Sequence, residues 1–158
     1  MLRHLEDGGT RLGCVGADSA GWTRERSAAS PFLFAIDRGR TETVDLIAWT
    51  QYGMFRRSVF DDGVRFDDSG PFRGAGWGFE DNDLAFQMQR RGYVTERFFG
   101  LTYLHRDIHS SIRVMKRQGV NAQAVYEARK QHVIRKWAGV PEIDRGPLQF
   151  VRRVQMQF

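Results

Sequence analysis

The sequence predicts an α/β fold in which a mixed sheet is flanked by helices. Three observations lead to this prediction: short apolar runs have the character of strands, they alternate with segments of helical spacing, and glycine-rich loops separate them. Because several of the strand candidates are short, mixed pairing is favoured over purely parallel pairing. With 158 residues and no internal repeat or low-complexity tract, the chain is expected to form one domain, residues 1–158.

Short apolar runs supply the candidate strands of this sheet. They lie at residues 12–15, 31–36, 44–49, 52–55, 93–98 and 101–104. The segment Asp37-Arg38-Gly39-Arg40 turns the chain after the second run, and the Gly70-Pro71 pair is a further turn signal. Residues 64–76 are predicted to be a loop.

Segments of helical character lie between and after these runs. They are residues 1–6, 56–60, 84–92 and 121–137. Gly92 is expected to end the third segment, and Asn121 is expected to cap the fourth. The polar and basic residues 107–119 are predicted to be mobile, and no structure is assigned from Pro141 onward.

Composition narrows the class of protein. Apolar residues make up 41% of the chain and charged residues 27%, which is typical of a globular protein rather than a disordered one. No apolar run approaches the roughly 20 residues that span a bilayer, and the first residues do not resemble a signal peptide, so a cytoplasmic location is predicted. Cys14 is the single cysteine, which excludes disulfides and cysteine-rich zinc sites within the chain.

An excess of basic residues leaves two interpretations open. The net charge is +5, from 24 Lys and Arg against 19 Asp and Glu. Arginine is a bidentate partner of phosphates and carboxylates, so an anionic ligand or surface is one interpretation and solubility alone is the other. Basic residues are concentrated between Arg113 and Arg153, which leaves peripheral contact with a membrane open. No recognised nucleic-acid motif is present, which argues against a nucleic-acid partner.

The residues of greatest functional interest form a glycine–tryptophan turn that runs into a group of acids at residues 76–83, here called the acidic turn. Because a helix is expected to follow, Glu80, Asp81 and Asp83 would lie at its N-terminus. Acidic residues there also stabilise the helix, each by about 0.3–1 kcal/mol, which is a purely structural interpretation. Two glycines around Trp77 raise the entropic cost of ordering the turn. They favour instead a site that brings an indole and carboxylates to one ligand.

The acidic turn resembles the acceptor-binding half of GT-A-fold glycosyltransferases. The similarity is carried by Gly76-Trp77-Gly78-Phe79-Glu80-Asp81-Asn82-Asp83-Leu84, by residues 53–60 and by Phe66-Asp67-Asp68. It is a similarity to the C-terminal region of galactosyltransferases and N-acetylgalactosaminyltransferases and to the broad family 2 enzymes, and it runs from about Leu5 to about Trp137. The resemblance implies transfer of a sugar from a nucleotide-sugar donor to a carbohydrate or other hydroxyl acceptor, with inversion at the anomeric carbon.

The resemblance also implies a role for each matched residue of the turn. Asp81 matches the general base that takes the proton from the acceptor hydroxyl, and Glu80 matches a carboxylate that binds acceptor hydroxyls. Trp77 and Gly78 would lie in a loop that responds to substrate. His105 matches the histidine that helps to hold a divalent cation, Mn²⁺ or Mg²⁺, on the donor diphosphate, with His109 as the alternative.

One part of the family pattern has no counterpart in the sequence. The family places a strand-borne Asp-x-Asp motif upstream, and no matching motif occurs before the acidic turn. The nucleotide-binding half is therefore expected to be missing, and activity would depend on its being supplied. Exposed sheet edges would then favour a homo-oligomer or a partner chain that contributes strands.

The alternative function is a non-catalytic carbohydrate-binding or assembly domain derived from a glycosyltransferase. Sugar binding would then rest on Trp77, Phe79 and Tyr52 for stacking, and on Glu80 and Asp81 for hydrogen bonds.

Overall fold

The described strands form a mixed sheet. A computed structural model describes residues 2–19, 41–43, 53–73, 78–103 and 110–155. The strands within them are β1 (Leu12–Ser19), β2 (Thr41–Thr43), β3 (Gly53–Phe55) and β4 (Val94–Tyr103). Their order is β2-β4-β1-β3, with β1 parallel to β4 and each outer strand antiparallel to its neighbour. The predicted α/β class with mixed pairing is confirmed.

Helices make up most of the remaining regular structure in the described part of the chain. They are α1 (Leu2–Asp7), α2 (Arg57–Asp61), α3 (Glu80–Arg90), α4 (Ser110–Arg117), α5 (Ala122–Trp137), α6 (Pro141–Asp144) and α7 (Pro147–Arg153), together with a 3₁₀ turn at Gly70–Phe72. None of these helices combines the length and the apolar composition needed to cross a bilayer.

The four predicted helices are confirmed, and so are the signals that were expected to bound the two longest. Gly92 has φ +79°, and its N–H donates to the carbonyl of Gln89 at 2.9 Å just beyond the end of α3. The Asn121 side chain accepts a hydrogen bond of 3.0 Å from the Ala124 N–H at the start of α5. Local sequence therefore determines where these helices stop and start.

Three segments differ from their predictions or extend them. Residues 110–117 of the segment predicted to be mobile form α4, because Ile112 and Met115 lie one turn apart and are both buried. The strands predicted at 93–98 and 101–104 are one continuous strand, β4. The unassigned tail forms α6 and α7, each with a proline at its beginning. The candidate strands 31–36 and 44–49 lie outside the described residues.

The main core packs α3 against α5. Leu84, Phe86 and Met88 of α3 and Val133 of α5 are fully buried. The rings of Phe86 and Trp137 meet edge to face, with 5.8 Å between their centroids. Because α3 begins inside the acidic turn, this packing fixes the position of the acids relative to α5.

Candidate functional site

The acidic turn enters α3 through two residues with left-handed backbone. Gly78 has φ +99°, and Phe79 has φ +69° and ψ −5°. Glycine adopts this conformation freely, whereas for a residue with a side chain it costs about 1–2 kcal/mol. Contacts elsewhere in the fold must therefore hold Phe79 in place.

Tyr126 of α5 supplies part of that support. The Phe79 side chain is 7% exposed, and its ring lies 4.8 Å from the Tyr126 ring. A Cβ atom added to Gly78 would lie 3.1 Å from Tyr126 Cδ2, so only glycine fits there without displacing the tyrosine. Burial, followed by the charge of Glu127, raises the pKa of Tyr126 to about 12, so the ring meets the turn as a neutral phenol.

Gly78→Ala is expected to lower the free energy of unfolding more than Gly139→Ala does. Both glycines have positive φ, +99° and +83°, so both substitutions incur backbone strain of about 1–2 kcal/mol. Gly139 has open space around it, whereas Gly78 faces the buried Tyr126. Urea unfolding of the two variants measures the difference. Equal losses would show that Tyr126 does not constrain the turn.

Glu80 pairs with a buried arginine. Its Oε2 lies 3.5 Å from Nη1 of Arg129, whose side chain is 5% exposed. Arg129 also donates from Nε to the carbonyl of Pro71 at 3.1 Å, and its guanidinium lies 5.0 Å from the centre of the Phe72 ring. Burial lowers the pKa of Arg129, and the charge of Glu80 opposes that shift. The pair therefore orients Glu80 while compensating a buried cation.

Glu80 keeps capacity to bind a ligand. Its side chain is 37% exposed, and Oε1 has no hydrogen-bond partner among the described residues. Carboxylate oxygens are acceptors only, so Oε1 suits a hydroxyl group that donates a hydrogen bond. Asp81, the next residue, lies in the same first turn of α3 and is partly buried.

Asp83 has a structural role that separates it from its acidic neighbours. It is 1% exposed, and its Oδ1 accepts a hydrogen bond of 2.7 Å from the indole Nε1 of Trp137. Its Oδ2 accepts hydrogen bonds from Lys136 Nζ at 2.9 Å and from Gln87 Nε2 at 2.8 Å. These three donors occupy both oxygens and leave no accessible face for a ligand.

Lys136 extends this arrangement to a second carboxylate, Asp67. The Asp67 Oδ2 lies 2.8 Å from Lys136 Nζ and 3.0 Å from His132 Nε2, and its Oδ1 accepts from the backbone and hydroxyl of Ser69. Burial alone would raise the pKa of Asp67, but the hydrogen bonds from Lys136, Ser69 and His132 outweigh it and hold the pKa well below its usual range. Asp67 is therefore a partly buried anion whose hydrogen bonds join residues 65–69 to α5.

The structure brings some predicted site residues together, while others lie outside the part it describes. Gly78, Phe79, Glu80 and Asp81 are consecutive at the start of α3. The Phe79 ring packs in the core, and this burial does not favour stacking on a sugar. The remaining predicted residues, Trp77, Tyr52, His105 and His109, lie outside the described residues.

Sequence reasoning missed the residues of α5 that hold the turn. They are Tyr126, Arg129, Lys136 and Trp137, whose spacing along α5 places them on one face of the helix. That spacing was the available signal. It identifies a face of α5, but it does not tell which partners that face meets.

The described residues do not form a metal site by themselves. No three of their His, Cys, Asp or Glu side chains are grouped so that they could hold a metal ion. The cation predicted at His105 stays a prediction, because that residue lies outside the described ranges.

Comparison of the chain with protein-family models, with curated proteins and with solved structures finds no match. The resemblance to glycosyltransferases therefore rests on the sequence pattern and stays a prediction.

Proposed function

We propose that this chain forms the acceptor-binding part of a glycosyltransferase that transfers a sugar from a nucleotide-sugar donor to a hydroxyl acceptor. The observation that carries the proposal is the left-handed Gly78–Phe79 backbone leading directly into Glu80 and Asp81. Strained backbone of this kind is concentrated at ligand sites, where the surrounding fold maintains it. Here Tyr126 and Arg129 of α5 provide that support.

The two acids are proposed to have different roles. Arg129 fixes one oxygen of Glu80, and Oε1 is left to accept a hydrogen bond from an acceptor hydroxyl. Asp81 is proposed to take the proton of the acceptor hydroxyl. As it does so, the hydroxyl oxygen forms a bond to the anomeric carbon and the bond between that carbon and the nucleoside diphosphate breaks. A positioned general base contributes a rate factor of about 10²–10⁴. Attack from the face opposite the departing group gives inversion.

The contrast between Asp83 and Glu80 supports the proposal indirectly. If all the acids of the turn were structural, each would be expected to cap the helix or neutralise a buried cation. Asp83 does serve such a role, through Trp137 and Lys136. Glu80 also neutralises a buried cation, Arg129, but it does so through one oxygen, and its other oxygen is the group that a purely structural role would not use.

Titration calorimetry of the chain with UDP-galactose and UDP-N-acetylgalactosamine, with and without Mn²⁺, tests the proposal. Since the nucleotide-binding half is expected to be missing, the sugar nucleotides should bind only in a preparation that supplies this half. Binding there should require Mn²⁺, because a divalent cation offsets the charge of a diphosphate. Free galactose and N-acetylglucosamine are the comparison ligands. Binding of these simple sugars, with no response to the sugar nucleotides in the preparation that supplies the missing half, would favour the carbohydrate-binding alternative. Absence of heat with every ligand would contradict both functions.

A further inference from the structure

A surface groove of about 630 Å³ lies beside residues 65–69 and the C-terminal half of α5. We call it the 65–69 groove. Its volume is within the range of small-molecule sites, about 300–1,000 Å³. Neither Glu80 nor Asp81 lines it. The groove is therefore separate from the acceptor site proposed at Glu80 and Asp81.

The polar side chains at the floor of the groove already have hydrogen-bond partners within the protein. Asp67 accepts hydrogen bonds from Ser69 and Lys136 and pairs with His132, so its carboxylate needs no further partner. Gln87 donates to the carbonyl of Arg65 at 2.8 Å and accepts from its N–H at 3.1 Å. Such a network gives a rigid base whose shape does not depend on a ligand.

The rim, in contrast, has free groups of both signs. Asp68 and Arg135 are exposed, and neither charged group makes a hydrogen bond or ion pair with the described residues. Arg65, also exposed, uses Nη1 on the carbonyls of Phe60 and Val64. The carboxylates of Asp67 and Asp68 would repel an anion in the groove, and the guanidinium groups of Arg65 and Arg135 would repel a cation. A hydroxyl both donates and accepts, so it suits this mixture.

Phe66 adds an apolar face to the same rim. Its side chain is 53% exposed. Among the large hydrophobic residues that are exposed in the described part of the chain, Phe66 is the one that is aromatic. An isolated exposed hydrophobic residue has no special meaning. Here the ring borders a groove whose other free groups are polar. An apolar face combined with a few placed donors and acceptors is the pattern of a small-molecule site.

From these groups we infer that the 65–69 groove binds an uncharged carbohydrate, with the C–H face of one sugar ring on Phe66 and its hydroxyls on Asp68 and Arg135. The inference goes beyond the proposed transfer function and does not require it, since a binding site here would serve a transferase and a non-catalytic domain alike.

Amide NMR of the ¹⁵N-labelled chain titrated with lactose and cellobiose tests this inference. The expected result is a set of shift changes at residues 65–69 and 132–136. Shift changes confined to residues 78–81 would contradict sugar binding in the 65–69 groove and would support sugar binding at the acidic turn. No changes with either disaccharide would also contradict the inference. Stronger effects from glucuronate, glucosamine or inorganic phosphate than from the neutral sugars would show that the ligand class is wrong.

The Phe66→Ala variant gives the second measurement. We expect its affinity to fall about tenfold for the disaccharide that changes the amide shifts of the groove residues, because the aromatic face on which the sugar stacks is lost. Leu2→Ala, which truncates an equally exposed apolar residue in α1, is the matched control and should bind as the unaltered chain does. Unchanged affinity of Phe66→Ala would remove the ring from the site and contradict the inference.

Discussion

Replacing Asp83 with alanine is expected to lower the free energy of unfolding by about 1–3 kcal/mol, the loss typical when a buried hydrogen-bond donor is left without its acceptor. The substitution leaves the indole N–H of Trp137 without its acceptor inside the core. It also removes one of the two ion pairs of Lys136, and the ion pair with Asp67 remains. Urea unfolding followed by the fluorescence of the tryptophans measures the change.

Two further variants show whether the effect of Asp83→Ala comes from its buried hydrogen bonds. Asp61→Ala removes an aspartate that is 63% exposed and pairs with Arg57 at 3.5 Å, so it should cost no more than about 0.5 kcal/mol. Trp137→Phe keeps an aromatic ring against Phe86 and removes the donor. The double variant should then lose less than the sum of the two single losses. A cost for Asp83→Ala as small as that of Asp61→Ala would show that the buried carboxylate contributes little to stability.

Local patterns in the sequence predict much of the fold. The helix at 121–137 follows from apolar spacing and the Asn121 cap, and the stop at Gly92 follows from the freedom of glycine to adopt positive φ. α4 is harder to predict, because Ile112 and Met115 are the only buried residues among the side chains of this helix that the structure describes, and each of the two has a charged neighbour. A polar, basic segment can be a helix when tertiary contacts stabilise two positions one turn apart.

The sequence predicts less of the candidate site. It shows that acids follow a glycine-rich turn, and the structure places them in the first turn of α3. It does not show that Phe79, rather than a glycine alone, adopts the left-handed backbone, because that conformation depends on burial against Tyr126. The different roles of Glu80 and Asp83 likewise depend on Arg129 and Lys136, which are distant in sequence. Such long-range partners leave no local signal.

Replacing Asp81 with asparagine is expected to lower kcat for sugar transfer by about 10²–10⁴-fold, because an amide of the same shape cannot take the proton of the acceptor hydroxyl. KM for the acceptor should change little, since the amide still forms hydrogen bonds. Transfer from a UDP-sugar is measured with Mn²⁺ present, in the protein preparation that shows turnover. The free energy of unfolding is measured in parallel, and we expect it to stay close to that of the unaltered chain.

Glu80→Gln separates binding from proton transfer in the same assay. Its expected effect is a higher KM for the acceptor with a much smaller change in kcat, because Glu80 is proposed to hold hydroxyls rather than to take a proton. It should also destabilise the fold modestly, since the buried Arg129 loses its anionic partner. Asp61→Asn, on the exposed surface of α2, is the matched control for removal of a carboxylate. Turnover retained by Asp81→Asn would exclude Asp81 as the base. If Glu80→Gln lost kcat instead, the base would be Glu80, and the ion pair with Arg129 would have to open for it to act.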